Sequence, residues 1–246
     1  MANQVDPRIA YPAAGGGVAT ASFDAGLRSY MLSVYNYMAS GVLLTGVVAL
    51  FFARSGMVSA LFNELGRPSL LGWIVMLAPL GLVITMSAAI NRLSEFSVKA
   101  LFWGFAMIMG VSMSTIFLRY TGGSIASTFF ATAAGFGALS LYGYTTKRDL
   151  GGFGKFLMMG LIGLIVAMLI NAFFPSAGGS LLISLVGVLL FSALTVYDTQ
   201  KIKNMYAMVE GSDMLGKSVV MGALTLYLDF INLFLFLLRF TGGSRN

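Results

Sequence analysis

The chain has 246 residues, 58% of them hydrophobic and only 10% charged, with a mean hydropathy of +0.87. That is too little charge to cover a soluble domain of this length, so a polytopic membrane protein is expected. The absence of Cys and His excludes disulfides and thiolate metal sites. It also removes the usual zinc ligand, general base and physiological pH switch, so any proton chemistry falls to carboxylates. The net charge of +6 reads as Lys and Arg holding cytoplasmic loops in place rather than as a nucleic-acid surface.

Residues 1–28, rich in Ala, Gly and Ser, read as a flexible cytoplasmic arm. They lack the 7–15-residue apolar core of a cleavable signal peptide. Residues 29–246 read as one all-α domain, a bundle of seven transmembrane helices. Each apolar run is close to the ~20 residues that a spanning helix needs. The runs fall at 31–53, 70–91, 100–118, 124–144, 156–174, 181–201 and 220–240. No charge occurs from Phe156 to Tyr197, and the FFPSAGG stretch at 173–179 supplies the Pro/Gly break that divides this length into two helices. Small residues, such as Gly160 with Gly163 and the ATAAGFGA stretch at 131–138, suit close approach of helix backbones in lipid.

Basic residues set the expected orientation. Ten lie on the side of the N-terminus: Arg8, Arg28, Arg92, Lys99, Lys147, Arg148, Lys155, Lys201, Lys203 and Lys217. Five lie on the other: Arg54, Arg67, Arg119, Arg239 and Arg245. That bias predicts a cytoplasmic N-terminus and an external C-terminus.

Of nine acidic residues, only Asp198 and Asp229 sit inside apolar runs. A carboxylate there costs about 2.5–3.5 kcal/mol on insertion scales, so it is rare and faces a partner or a water path. The run boundaries put Asp198 near the end of the sixth span, where the helix dipole opposes a negative charge. They put Asp229 about 12 Å into the seventh span, at 1.5 Å per residue. Arg92 closes the second span on the same side, so the three charges are expected to meet in the cytoplasmic half of the bundle. Two neighbouring carboxylates in a low dielectric cannot both ionise cheaply, and the pair then shares a proton and senses pH without histidine. Deprotonated and hydrated, the same oxygens suit a hard cation such as Ca²⁺, with Asn232 adding another oxygen. The plainer alternatives are Asp198 solvated or paired with Lys201, Asp229 in a structural hydrogen bond, and Arg92 as a topology anchor.

Four stretches carry a resemblance: LRSYMLSVYNYMASG at 27–41, YGYTTKRDLGGFGKFLMMGLIGLI at 142–165, VYDTQKI at 196–202 and LTLYLDFINLFLFLLRF at 224–240. With them the chain resembles the Bax inhibitor-1 family (transmembrane Bax inhibitor motif family), in its bacterial branch. The resemblance implies seven helices around a central one, a multi-pass location in the bacterial inner membrane and a pH-sensitive Ca²⁺ leak. It also implies a gate made of Asp198, Asp229 and Arg92. The segment between the two aspartates, with MVEGSDMLGK at 208–217, reads as a longer loop than in compact bacterial relatives. No catalytic residue, fixed metal or cofactor is expected; the expected partners are membrane lipid, protons and Ca²⁺ as permeant ion, and not nucleic acid. A competing reading is an interaction protein that modulates a membrane-bound AAA protease, as implied by some bacterial relatives, with the N-terminal arm as the contact.

Two further classes are disfavoured. An intramembrane aspartyl protease of the presenilin type carries GxGD at its second aspartate, whereas this chain has LYLD at 226–229, without the glycines that admit a substrate backbone. A retinal protein needs a Schiff-base lysine in the seventh span, and none occurs between Ser218 and Leu238.

Overall fold

Apolar side chains without water leave the backbone no partner but itself, so a chain of this composition crosses lipid as helices. The computed structural model describes residues 15–243, with side chains from Phe23 onward. It contains eight α-helices in the order α1 (Gly15–Arg54), α2 (Leu70–Ala89), α3 (Glu95–Met113), α4 (Ile116–Arg119), α5 (Gly122–Thr145), α6 (Phe153–Phe173), α7 (Ala177–Val209) and α8 (Leu215–Thr241). The short α4 continues the span begun by α3, which leaves seven helical segments long and apolar enough to cross a membrane. Among the described residues there is no strand beyond a single bridge between Phe62 and Pro68.

Side-chain caps mark where four of these helices begin. Ser69, Ser94, Thr121 and Ser176 each accept a backbone N–H three residues on, from Gly72, Ser97, Ser124 and Gly179. Each bond satisfies an amide that the helix itself leaves orphaned. Gly211, at φ 72°, turns the chain out of α7 in the left-handed conformation open to glycine.

The helices outrun the apolar stretches that predicted them. α7 continues eight residues past 201 and α8 starts five residues before 220, because hydropathy falls where polar residues begin while backbone hydrogen bonding continues. The segment read as a long loop between the two aspartates is therefore mostly helix, with only a tight turn at 210–214. The boundary expected at residue 28 also falls inside α1; residues 1–14 of the expected arm lie outside the described residues.

α8 is the central helix. Of its most apolar window 72% is buried, against 11–33% for the other spans. It packs against α7, α1, α5 and α3, while α2 lies outside α3 and α6 outside α7. The outer helices present large apolar side chains such as Leu77 and Met159 to lipid. Tyr227 pins the centre: its ring meets Phe102 and Phe105 edge-on, and its hydroxyl bonds Thr45 Oγ1 (2.7 Å), which donates to the Ala106 carbonyl (2.8 Å).

α5 and α7 approach closely at Gly143, where an added Cβ would lie 2.5 Å from the Val196 carbonyl oxygen and 3.0 Å from Thr199 Cβ. Backbone cannot rotate away as a side chain does, and overpacking costs about 1–3 kcal/mol. Gly143→Leu is therefore expected to lower the melting temperature and the monodisperse yield in detergent. Gly137→Leu, one and a half turns earlier on the same helix and facing open space, should leave both unchanged.

Candidate functional site

Asp198 lies 21 residues into α7 with 11 helical residues still to follow, and Asp229 lies at the midpoint of α8. Asp198 is therefore not in the last turn of its helix. The end of α7 is about 16 Å further on at 1.5 Å per residue, so the macrodipole, confined to the terminal turn, does not oppose it there. Asp229 is about 21 Å from the start of α8, deeper than the run boundaries implied.

The two side chains meet where α7 crosses α8. They are 9% and 4% exposed, and their carboxyl groups face each other closely enough to interact directly. Ionised carboxylates are acceptors only, so a direct bond between two such groups forms only when they share a proton. Oδ2 of Asp229 is buried and has no hydrogen-bond partner among the described residues. Lys201, one turn after Asp198, is the cation whose charge acts on both carboxyls.

Arg92 is not brought to the pair. It is exposed in the turn after α2, and among the described residues it forms no ion pair. Its backbone N–H bonds the Ala89 carbonyl (2.8 Å). Lys217 from α8 reaches the Ile90 carbonyl at the end of α2 (3.3 Å), and so supplies the cation at that helix end. Asn232 is half-buried beside the next turn of α8, where its amide donates to the Leu228 carbonyl (2.8 Å). Among the described residues no group of three or more acidic side chains gathers.

The residues after Asp198 hold the surroundings in place, and sequence reasoning passed over them. Thr199 bonds Ser140 of α5 (2.9 Å), which bonds the Tyr35 hydroxyl of α1 (2.7 Å). Gln200 clamps the turn between α5 and α6, accepting from Leu150 N and donating to the Arg148 carbonyl, both at 2.8 Å. Lys203 donates to the Tyr144 carbonyl at the end of α5 (2.7 Å) and lies over the Tyr144 ring. The available signal was the run of polar residues from Asp198 to Lys201, with Lys203 beyond Ile202: polar side chains on a membrane helix that do not face water find partners on other helices.

Seven spanning helices, one of them enclosed by the others and carrying half of a buried carboxyl pair, define a polytopic membrane protein with that pair between its last two spans. Residues 27–246 match the family described as Inhibitor of apoptosis-promoting Bax1. The chain belongs to that family, known as the Bax inhibitor-1 family. It is 49% identical over 223 residues to the inner membrane protein YbhL of Escherichia coli, covering 90% of this chain and 94% of that one. It is 48% identical over 226 residues to RP147 of Rickettsia prowazekii, covering 92% and 94% of the two chains. With YrjE of Lactococcus lactis the identity is 38% over 228 residues, covering 90% and 94%. The protein is a multi-pass protein of the bacterial inner membrane.

Proposed function

We propose that the protein is a non-enzymatic, pH-sensitive cation leak, with Ca²⁺ as permeant ion and the Asp198–Asp229 pair as its sensor. The observation that supports this reading is the pair itself, two neighbouring carboxyls buried between α7 and α8 with Asp229 Oδ2 left unpartnered. Buried ionisable groups inside a membrane bundle are costly and are kept for proton or ion handling. Loss of the shared proton leaves two like charges in a low dielectric, which water or a cation must compensate. Ca²⁺ takes six to eight oxygens, so it would pass with most of its water while Asp198, Asp229 and the Asn232 amide oxygen contribute in transit. Arg92, away from the pair, enters this reading as a topology anchor that helps hold the N-terminal side in the cytoplasm.

The test is Ca²⁺ uptake into liposomes carrying the purified protein, from pH 5 to 8, beside the double variant Asp198→Asn with Asp229→Asn. A pH-dependent flux that the double variant makes pH-independent is the expected result. No flux above empty liposomes at any pH would sink the leak and favour a partner protein of a membrane-bound AAA protease.

A further inference from the structure

α1 and α5 both flank α8 without packing closely on each other, and the space between them is a groove of about 730 Å³ open toward lipid. Small residues make it. Ala39 on α1 and Ala133 with Gly137 on α5 line it, and an added Cβ at Gly137 would meet nothing within 4 Å. The ATAAGFGA stretch thus leaves room where close helix packing was expected. The floor is Phe136 and Phe230, stacked edge-on at 5.5 Å. Phe230 follows Asp229 on α8, but successive helical side chains point different ways and neither aspartate lines the groove.

One end of the groove is basic. Tyr35 and Tyr144 are common to it and to a second recess of about 220 Å³ that also contains Arg28. Arg28 is exposed and carries no ion pair among the described residues. Lys203, over the Tyr144 ring, adds a second positive charge at this end. Arg28 and Arg54 bracket an apolar stretch of α1 about 37 Å long at 1.5 Å per residue. That is a little more than a ~30 Å hydrocarbon core, so Arg28 falls at headgroup level.

We propose that this groove binds one anionic phospholipid, with an acyl chain between α1 and α5 and its phosphate at Arg28. The volume is within the ~300–1,000 Å³ of ligand sites. Basic recesses between spans at the membrane edge suit anionic headgroups. An apolar cleft with charge only at its headgroup end matches the amphiphile's own polarity. The site stands independently of the leak.

The experiment places the protein in nanodiscs with phosphatidylglycerol or phosphatidylcholine bearing a photoactivatable group on one acyl chain, and maps labelled peptides by mass spectrometry. Labelling of α1 and α5 groove peptides should exceed that around Leu77 on α2 and Met159 on α6, and should favour phosphatidylglycerol. Gly137→Leu fills the groove and should cut its label severalfold while leaving the other faces unchanged. Arg28→Gln should lower the headgroup preference about fivefold, as expected for one cation near a membrane surface. Equal labelling of all faces, indifferent to headgroup and to both variants, would mean bulk lipid only and overturn the site. The chain has no cysteine, so Leu43→Cys on the groove wall gives a unique thiol. Disulfide dimers formed there together with loss of groove label would overturn it in favour of a second copy of the chain.

Discussion

Asp229→Asn is expected to shift the pH response of cation flux between pH 5 and 8 while leaving the bundle folded. In the native protein the two buried carboxyls face each other, and a bond between them needs a shared proton. An amide at the same position donates to Asp198 without that proton, so the helices keep their link and lose its titration. Two coupled proton steps become one that belongs to Asp198 alone. The checks are the flux profile in liposomes and the melting temperature in detergent. A variant whose profile overlays the wild type would take the sensor away from this pair. A variant that loses its fold would instead assign Asp229 a structural role, and Asp198→Asn would then decide the question, because it removes the same shared proton from the other side.

Tyr227→Ala should produce the largest loss of stability among single changes on α8, about 2–3 kcal/mol. In lipid the reference state is already apolar, so the water-transfer part of a core truncation largely disappears and packing remains. Removing roughly 100 Å³ of side chain at ~24 cal/mol per Å³ of unfilled cavity gives that figure. Tyr227 is fully buried between Phe102 and Phe105, and neither ring lies on a flexible segment that could collapse into the gap. Tyr227→Phe keeps the aromatic packing and loses only the bond to Thr45, worth ~0.6 kcal/mol in membrane bundles. Thr45 keeps its bond to the Ala106 carbonyl. Thermal unfolding of both variants in the same detergent measures the difference. Equal melting temperatures would show that the hydroxyl network, rather than ring packing, holds α8 in the centre.

Much of this protein was legible from the amino-acid sequence alone. Seven spans, the breaks between them and the family follow from apolar runs, from the 173–179 break and from the stretches around Tyr197 and Tyr227. Asp198 and Asp229 stood out because a carboxylate in an apolar run is costly wherever the helices happen to lie. Those properties are local: burial cost, span length and backbone satisfaction depend on a residue and its near neighbours. The depth of the pair did not follow, since α7 and α8 continue through polar residues where hydropathy stops. Nor did the place of Arg92, because a cation at the end of one helix reaches another only if their crossing brings them together. Tertiary structure put Lys217 at that helix end and left Arg92 exposed. The same holds for the small residues of α5: composition marks where backbones can approach, and only the arrangement of α1, α5 and α8 decides that Gly143 is filled by α7 while Gly137 opens onto a groove.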